Sequence, residues 1–231
     1  MDTTWHPGEQ ALQEAVGIRE RMAEIGAQVV RDHMPDQHRE LFGKLPTMLL
    51  GAIDAAGQPW ATMLAGPPGF VTTPDDRTMA LAPALDSQDP VLAALRARGP
   101  GAPVGLLGLE PHSRRRNRMN GRLVSLSGDG LSVGVVQSFG NCPKYIQARE
   151  PLAWDDTPPE LAQPLGTALD DGALALIEAA DTLFIASASA PVPGDGRSDG
   201  VDVSHRGAAG LPPGPAPAGW RHRALDAGVP R

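Results

Sequence analysis

The stretch SRRRNRMNGR, residues 113–122, places five arginines in nine positions: Arg114, Arg115, Arg116, Arg118 and Arg122. Read as a β-strand, it alternates. Arg114, Arg116, Arg118, Asn120 and Arg122 share one face, and Arg115, Asn117, Met119 and Gly121 the other. One face is then almost wholly cationic, and the Asn-Gly-Arg step lets the backbone approach a ligand closely. Guanidinium groups make bidentate, charge-assisted hydrogen bonds with phosphate, each worth about 1.5–3 kcal/mol, so two or three would hold a phosphate monoester. Two other readings compete. One is a solvated edge strand protected by its charge. The other is a nucleic-acid grip, opposed by the net charge of −7 and by the lack of aromatic stacking partners near the run.

Three further stretches carry reactive side chains. In GNCPKYIQ, Cys142 beside Lys144 has the makings of a low-pKa thiolate with His112 the nearest base in sequence, although a small buried cysteine before a proline is the commoner case. Lys144 and Tyr145 would serve better as donors to an anionic or carbonyl-bearing ligand. In WHPGEQ, His6 and Glu9 are close enough for an acid–base pair or two metal ligands, but no third ligand stands at a metal-binding spacing, and capping of the following helix is favoured. In VDVSHRG, alternation puts Ser204 and Arg206 on one face and His205 on the other. A hydroxyl beside a guanidinium suits a phosphate or flavin contact, and a polar strand without a ligand is the competing reading.

These side chains need elements to hold them. The chain has 231 residues, 41% hydrophobic and 20% charged, which is ordinary for a globular protein. Aromatics make up only 4%, so aliphatic side chains must build the core. The single cysteine excludes an internal disulfide and a cysteine-based zinc site. Without a signal-peptide pattern or a long apolar run, the expected location is cytoplasmic, with neither a membrane nor nucleic acid as partner.

Residues 8–33 show a 3.6-residue apolar period and predict one amphipathic helix, weakened at Gly17 and Gly26. TMLLGAID, AAGQ and PWATMLAG predict a hairpin, and GFVTTPDDRTMALAP another. DSQDPVLAALRARG reads as a short helix capped by Ser87 or Asp89, with Pro90 in the first turn and Gly99 at its end. More strands follow, and with few crossovers they predict a small mixed-order barrel. TLFIASAS and SDGVDVSHRG echo the first hairpin, as an internal duplication that stops early would. The expected domains are an N-terminal helix (1–40), a barrel (41–154), a linker with a short helix (155–180), the start of a truncated second barrel (181–207) and a disordered tail (208–231).

Taken in order, WHPGEQALQ, TMLLGAIDAAGQPWATMLAGPPGF, RRRNRMNGRL and QSFGNCPKYIQ resemble the pyridoxamine 5′-phosphate oxidase-like, FMN-binding split-barrel family over roughly residues 5–207. The likeness is greatest to a branch with two barrels in tandem, sometimes fused to a reductase carrying flavin and an iron–sulfur centre. The resemblance implies a mainly β fold with flanking helices (α+β): a six-stranded split β-barrel plus an incomplete second one. It implies FMN in a cleft between two barrels, either two subunits of a homodimer or two halves of one chain. Carried to matching positions, it puts Thr62, Met63 and Leu64 along the flavin ring, and Arg116, Arg118 and Lys144 near the phosphate or substrate. Ser204 and Arg206 would come from the second copy.

The implied function is that of a flavin-dependent oxidoreductase acting on a small molecule, with the redox chemistry supplied by the flavin and orientation by the protein. The shortened second barrel and the lack of a reductase module depart from that pattern. They leave open a non-catalytic module that holds flavin or another phosphate ligand, and they point to a separate reductase partner if there is turnover.

Overall fold

The computed structural model describes residues 4–83, 88–140, 142–149, 166–191 and 199–207, without the side chain of Lys144. The expected linker over 155–165 and tail over 208–231 lie outside the described residues.

The single N-terminal helix predicted over 8–33 is two helices, α1 (Pro7–Ala15) and α2 (Arg19–Val29). The break falls at Gly17, whose φ of +70° is a left-handed conformation that ends a helix cheaply only at glycine. His6 and Glu9 form a capping box: Gly8 N–H donates to His6 Nδ1 at 3.1 Å and His6 N–H to Glu9 Oε2 at 2.8 Å. The capping reading of that pair is the one observed. Gly26 is needed for room, because a Cβ there would lie 2.6 Å from Trp5 Nε1, which itself donates to the Met22 carbonyl. A third helix, α3 (Asp36–Phe42), buries Leu41 and Phe42.

Strands β1 (Thr47–Ile53) and β2 (Pro59–Ala65) form the first predicted hairpin, and β3 (Val71–Asp75) and β4 (Thr78–Leu81) the second. The first turn closes on Asp54, whose Oδ1 accepts from the backbone of Ala56 and Gln58 while Oδ2 accepts from Trp60 Nε1. These bonds hold its carboxyl below the usual value. Helix α4 (Pro90–Arg98) is capped by Asp89, which accepts from the N–H groups of Val91 and Leu92. Then come β5 (Pro103–Glu110), β6 (Arg115–Ser127) and β7 (Gly130–Gly140).

The fold is mainly β with flanking helices. One antiparallel sheet holds seven strands, where six were expected, in the order β2-β1-β5-β6-β7-β4-β3. Its ends, β2 and β3, do not pair, so the curled sheet stays open between them. Leu64 from one end and Val71 from the other nevertheless enter the same core as Met48, Leu50, Leu106, Met119 and Val133 from the middle. Val91, Leu92 and Leu95 of α4 fill that core from the side of β1 and β2. Each fully buried Leu or Val adds roughly 1.5–3 kcal/mol, so this inner face dominates the fold's stability.

Helix α5 (Asp171–Ala179) precedes a separate two-stranded sheet, β8 (Thr182–Ser189) with β9 (Gly200–Gly207). This hairpin lies on the outer face of the large sheet, over β1, β2, β5 and β6. Phe184, Ala186 and Val203 of the hairpin meet Leu49, Met63 and Leu107 of the sheet. Two glycines make the approach possible: a Cβ on Gly51 would lie 2.5 Å from Val203 Cγ2, and one on Gly105 would lie 2.8 Å from the Val201 carbonyl oxygen.

Candidate functional site

The pairing of β5, β6 and β7 sets the arginine strand in register. One row across the outer face runs Met63–Leu49–Leu107–Arg118–Phe139, and the next runs Ala61–Gly51–Gly105–Asn120–Gln137. The alternation read from the sequence holds for Arg116, Arg118, Asn120 and Arg122, which stand on the face that receives β9. Arg114 leaves the row because β6 begins at Arg115 and Arg114 sits in the preceding turn with φ of +53°. The Asn-Gly-Arg step serves β7, not a ligand: a Cβ on Gly121 would collide with the Gly134 carbonyl at a register shift in the β6–β7 ladder.

The arginines therefore meet protein groups first. Arg118 donates to Asp202 Oδ2 at 2.7 Å and to Ser204 Oγ at 2.6 Å, with its guanidinium carbon 5.8 Å from the centre of the Phe139 ring. Arg122 bonds both the carboxylate and the carbonyl of Asp199, whose other carboxylate oxygen accepts from Arg98 at 3.1 Å. Arg116 donates to His205 Nδ1 at 2.9 Å and to the His205 carbonyl at 3.2 Å. The backbone carbonyls of Asp199 and His205 thus find partners among the guanidinium groups. Arg206 donates to the same His205 carbonyl at 2.9 Å.

The electrostatics follow from this burial. Arg116 always donates, so His205 Nδ1 must be the acceptor and the ring neutral, with its proton on Nε2. Burial, and then Arg116, push the His205 pKa down to about 4. Burial also lowers Arg116 and Arg118 and raises Asp202, with Arg118 opposing the last shift. Arg116, Arg118 and Arg206 stand against Asp202 and the nearby Glu9, which leaves one positive charge in excess along this seam. Arg116 Nε, Arg118 Nε and His205 Nε2 are buried and have no hydrogen-bond partner among the described residues. Such unpaired donors are costly and normally rare.

The candidate residues fall into two groups. Arg116, Arg118, Ser204 and Arg206, from segments more than 80 residues apart in sequence, come together at the seam. Thr62, Met63 and Leu64 do not join them. Thr62 donates to Asp89 Oδ2 at 2.5 Å, Leu64 is buried in the inner core, and Met63 packs beneath the hairpin. Met63 stands three strand positions from Arg118, about 14 Å at the usual inter-strand spacing. Lys144 has its backbone in the short 3-10 turn Pro143–Tyr145, and its side chain lies outside the described residues. Cys142 is exposed, against the reading of a buried cysteine, because the chain has already left β7 there.

Asp202 and His205 were not singled out as site residues. The alternation that paired Ser204 with Arg206 also reaches Asp202 two residues earlier, so that partner was legible. Nothing local marked His205 or the cleft at the head of β6. That cleft has a volume of about 660 Å³ and is lined by Arg114, Arg115, Arg116 and Asn117 together with His38 of α3.

No protein-family model and no curated protein matches the chain. Solved structures similar in fold include HupZ of Group A Streptococcus, 13% identical over 46% of this chain and 93% of that one, with a TM-score of 0.36. An FMN-binding protein of Syntrophomonas wolfei is 13% identical over 56% of this chain and 97% of the other, with a TM-score of 0.34. A FAD and heme binding protein of Mycobacterium smegmatis is 11% identical, covers 63% and 96%, and has a TM-score of 0.35. All three likenesses are distant. No helix among the described residues is long and apolar enough to cross a membrane.

Proposed function

We propose that the chain is a flavin-binding protein of the split-barrel type that takes FMN, with its phosphate at the β6–β9 seam. The observation that carries the reading is the meeting of Arg116, Arg118, Ser204 and Arg206, two segments picked out by motif alone, around buried guanidinium nitrogens that lack partners among the described residues. The excess of positive charge suits a phosphate monoester, which carries about −1.5 to −2 near neutral pH. In this reading Arg116 and Arg118 present Nε–H donors, Ser204 adds a hydroxyl, and Arg206, exposed at the strand end, closes the site. Lys144 belongs to the same proposal as a further cation for the phosphate. The Thr62–Leu64 backbone on the far side of the same sheet face is assigned to the ring.

The flavin, when bound, supplies the redox chemistry, and the proposed activity is that of a cytoplasmic oxidoreductase acting on a small molecule with a separate reductase as partner. The chain's own residues anchor the anionic tail and exclude water beneath the hairpin. Pairing of two chains is part of the proposal. Helix α5 has no buried residue, and Leu174, Leu176, Ile177, Leu183 and Ile185 form apolar surface that a second copy would cover.

A second reading rests on Asp202 and on the hairpin itself. The carboxylate already pairs with one guanidinium nitrogen of Arg118, and β8–β9 covers the sheet between Met63 and Arg118, which favours a module that holds a phosphate ligand without turnover. The visible spectrum of the purified protein, with FMN added, tests the proposal. Flavin bands that persist through gel filtration are expected, and a colourless protein that ignores added FMN overturns it. Bound flavin that no reductant cycles would favour the second reading.

A further inference from the structure

The cleft at the head of β6 is distinct from the seam in most of its lining. Arg115 and Asn117 alternate with Arg116 and Arg118, so they stand on the opposite face of the strand, toward α3. Three successive guanidinium-bearing residues, Arg114, Arg115 and Arg116, border the cleft, and no carboxylate is among the residues that line it. Glu110 accepts from Ser113 Oγ at the rim.

Several features mark this as a built site. Arg114 is the one non-glycine residue with positive φ among the described residues, at +53°, and its Nε donates to the Ile146 carbonyl at 3.2 Å. A bulky residue held in that conformation costs of order 1 kcal/mol or more, and such strain gathers at ligand sites. Arg115 is fixed by a long contact, 3.4 Å, from its guanidinium to the Gln37 carbonyl. His38 is 7% exposed and its Nδ1 pairs with Ser138 Oγ at 2.8 Å, which orients the ring and leaves Nε2 without a partner among the described residues. Asn117 is also 7% exposed, and its Nδ2 donor has no partner among the described residues. A buried amide N–H without an acceptor, beside three guanidinium groups, lacks one thing: an oxyanion.

We propose that this cleft binds the oxyanion group of a small organic molecule, a phosphate monoester or a carboxylate, held by Arg114, Arg115 and Asn117 with His38 as a hydrogen-bonding neighbour. The volume of about 660 Å³ far exceeds a bare anion and leaves room for the organic part of the ligand. The site does not depend on the flavin reading, since it shares only Arg116 with the seam.

Calorimetric titration of the full chain, free of flavin, with inorganic phosphate and separately with succinate tests the inference. Saturable binding of at least one probe is expected, weakened about tenfold or more in Arg115→Gln and restored in large part in Arg115→Lys. Arg19→Gln, at an exposed arginine that pairs with Glu14 and does not line the cleft, is expected to leave it within about twofold. Preference for phosphate identifies a phosphate-bearing ligand, and preference for succinate a carboxylate. No saturable binding of either probe, or binding that ignores Arg115→Gln in a protein with native circular dichroism, overturns the proposal. Loss in Arg118→Met with retention in Arg115→Gln also overturns it, because the anion would then sit at the seam. Failure of FMN to bind, with phosphate binding intact, would leave this site standing and remove only the flavin reading.

Discussion

The two faces of the large sheet solve opposite problems. The inner face is closed by Leu50, Leu106, Met119, Val133 and their neighbours, all nearly free of solvent contact, and needs no direction beyond filling space. The outer face has a small apolar centre of Leu49, Leu107 and Val203, two glycines beneath the hairpin, and a border of arginines that bond specific atoms of β9. Hydrophobic burial tolerates approximate fit, whereas buried guanidinium groups demand named partners and leave visible debts where partners are missing. Function is therefore to be sought where the polar atoms are incompletely satisfied, along β6, and not in the larger core.

The contrast sets the scale of response to substitution. Leu106→Ala, on the inner face, is expected to destabilise the whole domain by about 2–5 kcal/mol, read from urea melts. Gly105→Val should act locally: with the Val201 carbonyl only 2.8 Å from a built Cβ, the hairpin has to lift, at a cost of about 1–3 kcal/mol. Hydrogen exchange should then rise across 182–189 and 200–207 while β5–β7 stay protected. Equal loss of protection in both regions would erase the distinction between the faces.

Arg118→Met removes the partner of Asp202 and Ser204 and is expected to cost about 1–3 kcal/mol of hairpin docking, with a large loss of FMN affinity. Acid offers a gentler perturbation. With a folded pKa of about 4 against an ordinary 6.5, His205 stays neutral in the fold while the unfolded chain takes up a proton between those values. Its contribution is intact above pH 6.5 and is lost as pH falls toward 4. His38, lowered by burial, acts in the same sense, and Asp202, raised by burial, in the opposite one just above the ordinary carboxylate range. The expected result is a hairpin that loosens below pH 6 before the core melts, seen as earlier exchange in β9 than in β5. Smallest of all, Thr62→Val breaks one hydrogen bond to Asp89 and should cost about 0.5–1.5 kcal/mol, as a shift in melting temperature.

Much of this fold was legible because its signals are local. Alternation gave the faces of β6 and β9, the turn residues gave both early hairpins, and His6, Glu9 and Asp89 announced their helices. The helix break at Gly17 was under-read, since a period that continues through a glycine hides a φ of +70°. What could not be read was which element would meet the arginines. That depends on the glycines at 51 and 105 letting a distant hairpin settle, a contact between segments with no local signal. The same holds for His38, brought to Arg115 and Asn117 only by the packing of α3 against the sheet.

The central claim is that the seam holds the phosphate of a flavin. Fluorescence titration of the protein with FMN and with riboflavin, which differ only in that phosphate, tests it most directly. The account predicts quenching by a saturable complex with FMN, at least tenfold weaker binding of riboflavin, and loss of the difference in Arg118→Met. Equal affinity for the two flavins, or no binding of either, would contradict it.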